Sequence, residues 1–171
     1  WRALIVEASR KTVRVIVVSQ LKVQKSVPDV WLVFAPIKKA RLDFIAQKAT
    51  EMGVSGILPV FTARTSVSRI KDERLRTNAI EAAEQCERLC LPEVFDAQKL
   101  SKLLDKWPED RRVLYCDEMG DEDNRVQPIL KALEKIASDE VRNEKWAIVI
   151  GPEGGFDAKE RERLHALDNS V

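Results

Sequence analysis

The sequence lacks what several common classes of chemistry require. Its three cysteines (Cys86, Cys90 and Cys116) and single histidine supply neither an even disulfide set nor the four ligands of a structural zinc site. No metal is assigned. No stretch approaches the roughly 18 consecutive apolar residues of a membrane-spanning helix, and no basic start leads into an apolar signal core. No membrane partner is therefore expected, and the cytoplasm is the default compartment. Neither sign of charge dominates: 29 Lys and Arg against 28 Asp and Glu leave +1, so no overall basic field announces nucleic acid. A local patch can still serve RNA where the total is balanced. Internal repeats and low-complexity tracts are also missing.

What is present suffices for one core. The 171 residues are 44% hydrophobic, ample for a globular domain and too few for several full ones. The start, "WRALIVEASRKTVRVIVV", reads as the middle of something rather than a natural beginning. Residues 2–25 alternate apolar and polar, which predicts strands, and "LKVQKSVPD" reads as a linker. From Val30 the pattern changes to apolar runs separated by helical periods. "VWLVFA", "VSGILPVF", "RRVLYCDE" and "WAIVI" predict buried strands. In "ARLDFIAQKATEMG", Leu42, Ile45, Ala46, Ala49 and Met52 share a helical face, with Gly53 placed as C-cap. "DERLRTNAIEAAEQCERLC" carries Leu75, Ala79, Ala82, Cys86 and Leu89 at helical spacing. The four-residue interval between Cys86 and Cys90 there predicts a packed helix face. "LSKLLDKW" and "PILKALEKIA" are shorter helices. Strands alternating with helices predict a parallel α/β sheet.

One turn stands out. "IGPEGGF", Ile150–Phe156, joins the last apolar run to "DAKERERLHAL". It is not a P-loop, because Phe156 and Asp157 stand where lysine and a hydroxyl would be needed, and its glycines do not fall as G-x-G-x-x-G. Glu153 would repel a pyrophosphate. As a plain strand–helix turn, Asp157 is the N-cap and Glu160 completes a capping box. That reading accounts for Asp157 well and for Gly151 and Gly154 poorly. A ligand held here would be neutral or cationic near the carboxylate and would use main-chain groups.

Three motifs in order carry a resemblance. "IGPEGGF" after a late strand resembles the second cofactor motif of the SPOUT class of RNA methyltransferases. "FAPIKKARLDFIAQKATEMGVSGILPVFTARTSV" and "AIEAAEQCERLCLPEV" are similar to the RsmE family, which methylates N3 of a uridine in 16S ribosomal RNA of the small subunit. The resemblance implies a knotted parallel α/β domain over residues 26–171, preceded by the last strands of a PUA-like β-barrel over residues 1–25. It implies a further "LGPRILRxETA"-like segment after Leu167, which the 171 residues do not include. It implies S-adenosylmethionine as cofactor, lined by Ile150, Gly151, Pro152, Glu153, Gly154 and Gly155. Cys116, Asp117 and Glu118 would wall the other side, Cys116 serving equally well as a buried small apolar residue.

Transfer to N3 needs a deprotonated or polarised imide and a well-oriented partner. Arg64, just past a strand end in "FTARTSV", can contact phosphate or a uracil oxygen through its planar fork. Glu84 is the candidate proton acceptor or orienting group, its alternative being a solvated helix face shared with Glu81 and Arg88. Lys38, Lys39 and Arg41 enter a helix and would hold phosphates or only line a solvated loop. Lys48 points at RNA or at water. Arg64, Arg69, Lys71, Arg74 and Arg76 extend the basic stretch. His165 is expected at the surface. The expected partners are 16S ribosomal RNA or the small subunit, and a second copy of the chain. The small-residue face Ala79, Ala82, Ala83 and the apolar side of "DAKERERLHAL" are available for packing within the subunit or across a two-fold axis. The alternatives are a noncatalytic RNA-binding homologue and a small-molecule enzyme on a doubly wound sheet.

Overall fold

The alternating N-terminal segment and the apolar runs after Val30 form two different sheets. The structure, a computed structural model, describes residues 1–24, 26–117, 129–134 and 144–170. β1 (Arg2–Ala8) and β2 (Val13–Ser19) pair as an antiparallel hairpin. Every residue of both strands is exposed, including Ile5 at 69% and Val17 at 56%. A two-stranded hairpin with both faces open lacks the cover such a ribbon needs for stability.

The remaining elements are β3 (Val30–Phe34), α1 (Lys39–Met52), β4 (Gly56–Phe61), α2 (Asp72–Gln85), β5 (Glu93–Val94), β6 (Gln98–Lys99), α3 (Leu100–Leu104), β7 (Arg111–Cys116), α4 (Ile129–Glu134), β8 (Lys145–Ile150) and α5 (Ala158–His165). The strand order is β5-β4-β3-β8-β7, all pairs parallel, with β6 added beside β4. Both faces are covered. Phe34 and Ile57 pack with Leu42, Ala46 and Ala49 of α1 and Leu75 and Ala79 of α2. Val33, Leu58, Val60 and Val149 pack on the other side with α3, Phe156 and Leu164. The switch of side between Ile57 and Leu58 is the two-residue period of a strand buried on both faces.

Three sequence expectations need correction. The second long helix ends at Gln85, with Cys86 as its cap and Glu87 at φ 57°. The turn frees Arg88 to reach back, donating from Nη1 to Thr50 O (2.7 Å) and from Nη2 to Val54 O (2.6 Å). A guanidinium thereby caps the Thr50 carbonyl in the last turn of α1 and holds the Val54 carbonyl just past the left-handed Gly53 (φ 94°). Cys86, exposed, and Cys90 therefore share no helix face. His165 is half-buried and stacks edge-on against Tyr115, ring centres 5.2 Å apart. Ala79, Ala82, Ala83 and Leu164 are buried within the chain itself, the first of the two kinds of packing expected of these helix faces. Part of the helix expected at "PILKALEKIA" lies outside the described residues. Among the described residues no helix is long and apolar enough to cross a membrane.

The amino ends of β3, β7 and β8 are tied by one buried cation. Arg111, 3% exposed, donates from Nη2 to Asp29 Oδ2 (2.9 Å) and from Nη1 to Trp146 O (2.9 Å), and stacks 3.5 Å from the centre of the Trp31 ring. Burial raises the Asp29 pKa, but hydrogen bonds from Arg111 and Ser55 and the charge of Arg111 outweigh it, holding the carboxyl below its ordinary 3.8. Replacing Arg111 with alanine is expected to cost about 3 kcal/mol in urea unfolding at neutral pH. The loss sits at the low end for a broken buried pair because the Asp29 side chain stays 39% exposed. A depressed carboxyl stabilises the fold above its unfolded pKa and stops doing so as pH falls through the folded value. Wild type and Asp29→Asn should therefore converge in stability under acid; a gap that persists below about pH 2 would contradict the ion pair's role.

Candidate functional site

The sheet has a switch point between β3 and β8. From β3 the chain moves through α1 to β4 on one side; from β8 it moves through α5 to the far side of β7, where Val113 N donates to Asn169 O (2.9 Å). Neighbouring strands whose connections part in this way leave a crevice beyond their carboxyl ends, where open α/β sheets bind ligands. Ala35 N–H donates to Ile150 O at 3.0 Å, so the ladder runs to the rim of that crevice. The next residues are the glycine turn.

Each glycine of the turn has its own cause. Gly155 adopts φ 68°, and its N–H closes the turn on Pro152 O at 2.8 Å. A Cβ at Gly151 would lie 2.7 Å from Cε2 of the Phe156 ring, which fills the core below. Gly151 thus has a packing reason that was not legible in the sequence. Gly154 is different: a Cβ there would meet Arg64 Cδ and Cβ at 3.5 and 3.6 Å, ordinary contact. Pro152 is buried, Glu153 and Gly154 are exposed, and Ile150 leaves 43% of its surface open at the strand end. The turn therefore presents open main chain, one carboxylate and an apolar side chain.

Arg64, which comes from a different motif, is brought to this turn. It sits in the turn Thr62–Thr65, closed by Thr65 N–H to Thr62 O (3.2 Å) and by Thr65 Oγ1 accepting from Thr62 N–H (2.9 Å). Its Nη1 donates to Gly154 O at 2.7 Å, across 90 residues of sequence. A guanidinium has further N–H donors in a planar fork, so one contact leaves geometry for an anionic or carbonyl oxygen. The capping box is present: Asp157 Oδ1 accepts from Glu160 N–H (2.8 Å), and Glu160 Oε2 accepts from Asp157 N–H (3.1 Å). Glu160 Oε1 goes elsewhere, accepting from Ala63 N–H at 2.8 Å. No spacing rule signals that second contact.

The β7 end forms a second wall. Asp117 pairs with Arg161 of α5 and is almost fully buried, its side chain 4% exposed. Burial first, then the charge of Asp117, push the Tyr115 hydroxyl well above its usual range, so it remains protonated and cannot act as a base. Cys116 is exposed as a residue, yet desolvation of its sulfur raises the thiol pKa, which makes it a poor nucleophile. Cys116 is thus not the buried packing residue that was one of its two readings. Glu118 lies outside the described residues.

The remaining candidates divide by the direction of the helices. Lys38, exposed, and Lys39, the first residue of α1, follow β3 at the crevice rim, and Arg41 lies in the first turn of α1. Arg69 is exposed in the segment between β4 and α2, on the same rim. Lys48 is farther along α1, ion-paired to Glu51 at 2.6 Å. Arg74 pairs with Asp43, and Arg76 with Asp96 at 2.9 Å, which neutralises part of the basic stretch. Glu84 is not brought to the turn. α2 runs back from the rim, and its last residues lie with Arg88 near the end of α1 at the opposite edge of the sheet. The motif it belongs to is adjacent in sequence logic and distant in space.

An open parallel sheet with a glycine turn and a docked guanidinium at its switch point has the arrangement with which α/β domains bind ligands. The chain belongs to the RNA methyltransferase domain family, which it matches over residues 24–170. It is 32% identical over 151 residues to the ribosomal RNA small subunit methyltransferase E of Rickettsia conorii, covering 88% of this chain and 58% of that protein. It is 33% identical over 138 residues to the protein of the same name in Bacillus subtilis, covering 77% and 52%. A solved methyltransferase of Legionella pneumophila, in complex with the bound cofactor SAM, matches at a TM-score of 0.71 and 26% identity, over 98% of this chain and 67% of that one. The chain spans 58% and 52% of the two curated relatives.

The glycines make opposite predictions. Gly151→Ala must displace the Phe156 ring and is expected to cost about 1–3 kcal/mol in denaturant unfolding. Gly154→Ala should change stability by no more than about 0.5 kcal/mol. Equal losses at both positions would contradict the packing assigned to Gly151.

Proposed function

We propose that the chain is the catalytic part of an S-adenosylmethionine-dependent methyltransferase acting in the cytoplasm on N3 of a uridine in 16S ribosomal RNA. The observation that carries this reading is the Arg64–Gly154 contact at the switch point. It places a cation that suits RNA on a turn that suits a phosphate-free, positively charged cofactor, in a chain of the RNA methyltransferase domain family. The names of the two curated relatives, and the cofactor in the Legionella structure, support the substrate and the cofactor respectively.

The residues present fit S-adenosylmethionine. Main-chain groups of Ile150–Gly155 would hold it, the exposed Ile150 side chain offers apolar cover, and Glu153 suits a cationic group. Cys116 and Asp117 would close the other side, with Asp117 fixed by Arg161. The cofactor supplies an electrophilic methyl group on a sulfonium. The task of this chain is to orient the uracil and stabilise the negative charge left on its carbonyl oxygens when N3 gives its proton to solvent water. Arg64 is suited to that, with N–H donors held at a fixed point of the rim. Glu84 has no part in it from this chain, given its place at the opposite edge. Lys38, Lys39, Arg41 and Arg69 would hold phosphates, with Lys48 on the flank.

Two further parts belong to the proposal. The exposed hairpin β1–β2 would complete a PUA-like barrel over residues 1–25, its apolar faces covered by strands of a longer protein, and residues 26–171 would be the knotted domain. A homodimer would use surface other than Ala79, Ala82 and Ala83; Phe44 at 59% and Ile80 at 44% exposure offer apolar area on α1 and α2. Sedimentation of the full-length protein should give a dimer at micromolar concentration, and an active monomer would remove that part.

The cofactor is tested by calorimetry on the full-length protein. Wild type should release heat with S-adenosylmethionine and Gly154→Val should not, although the fold accepts the side chain. Arg64→Ala should lower methyl transfer on the order of 100-fold. Removing the charges of Lys38, Lys39 and Arg41 together should flatten the salt dependence of RNA binding by about 2 in logarithmic slope, with cofactor affinity unchanged. RNA binding with no heat from the cofactor would favour the noncatalytic alternative.

A further inference from the structure

Two contacts join the Thr62–Thr65 turn to the segment after β8. One is Arg64 Nη1 to Gly154 O at 2.7 Å; the other is Ala63 N–H to Glu160 Oε1 at 2.8 Å. The residues are neighbours on one side and six apart on the other, so the pair fixes both the position and the direction of the turn. A capping box requires only that Glu160 take the N–H of Asp157, which Oε2 does at 3.1 Å. The second oxygen reaches a main-chain amide 97 residues away. Bonds from backbone N–H to an ionised carboxylate are the strong, short kind. The arginine, by contrast, is a long side chain on an exposed turn and would otherwise sample many rotamers.

We propose that Glu160 is a positioning residue: by holding Ala63 N–H and Asp157 N–H with its two oxygens, it locks the Thr62–Thr65 turn, and through it the Arg64 guanidinium, onto the glycine turn. This rests on the methyltransferase reading for its consequence in catalysis, though not for its effect on Arg64. The carboxylate belongs to the first turn of α5, where its charge also suits the helix N-terminus. Beneath it, Phe156 and Leu164 are packed in the hydrophobic core. The clamp therefore ties a mobile kind of group to a packed one.

The test cuts the bridge from each side in the full-length protein. Ala63 is the second residue of the turn closed by Thr65 N–H on Thr62 O, a position that accepts proline. Ala63→Pro removes the donor N–H and leaves α5 untouched. Glu160→Gln keeps the length but has one acceptor oxygen for two amides. Each variant is expected to lower kcat on the order of 10-fold with KM for RNA changed less, because the loss is one of orientation. The double variant should be no slower than the slower single one, since both break the same link. Ala63→Pro should lower the unfolding temperature by only a few degrees, because the proline's restriction of the unfolded chain offsets part of the lost bond. Wild-type kcat in Ala63→Pro, or losses that multiply in the double variant, would overturn the proposal and leave Glu160 a helix cap. The second readout does not depend on activity: the side-chain order parameter of Arg64 Nε–H by NMR should fall in Ala63→Pro. An unchanged order parameter would overturn the clamp. A wild-type protein that transfers no methyl group while this parameter falls would refute the functional reading alone.

Discussion

The pairing of β3 with β8 governs everything else in the domain. These strands are separated by more than half of the chain, yet they lie side by side at the centre of the sheet, in register from Val30–Trp146 to Phe34–Ile150. Their apolar side chains need cover on both faces, which forces α1 and α2 to one side and α3 and α5 to the other. Because the connections out of the two strands then diverge, their carboxyl ends form the switch point, the place where open α/β sheets bind ligands. The glycine turn is the continuation of β8 at that point.

Charge is used differently at the two edges of the sheet. At the amino edge Arg111 is buried, stacked on Trp31 and bound to Asp29, and serves only to tie three strands. At the carboxyl edge Arg64, Lys38, Arg41 and Arg69 remain exposed. Only one of them, Arg64, has its position fixed by a contact to the turn. The near-neutral total thus conceals a structural cation at one edge and a cationic rim at the other.

Four strands of the sheet, β3, β4, β7 and β8, were legible because apolar runs bounded by turn residues report buried parallel strands directly; the two-residue β5 and β6 carry no such run. α1 was legible down to its Gly53 cap, although Met52, expected on its apolar face, is exposed, and so was the capping box of Asp157 and Glu160. The end of α2 was not. Its periodicity continues through Cys86 and Leu89, while the chain breaks at Glu87 so that Arg88 can cap α1, a tertiary demand that local pattern does not carry. Glu84 was not brought to the glycine turn for a related reason: motif resemblance says which segments matter, and only the helix direction says which end faces the rim. Gly151 was read as an approach for a ligand, yet the Phe156 ring already requires it. The bond from Ala63 to Glu160 joins segments with no common periodicity and could be found only in three dimensions.

The central claim is that the turn after β8 and the Arg64 turn form one ligand site at the switch point. Peptide-resolved hydrogen exchange of the full-length protein, with and without S-adenosylmethionine, tests it most directly. Protection is expected to concentrate in residues 150–156 and 61–65, with the α2 end around Glu84 unchanged. Protection of the α1–α2 surface with no change in the glycine turn would contradict it.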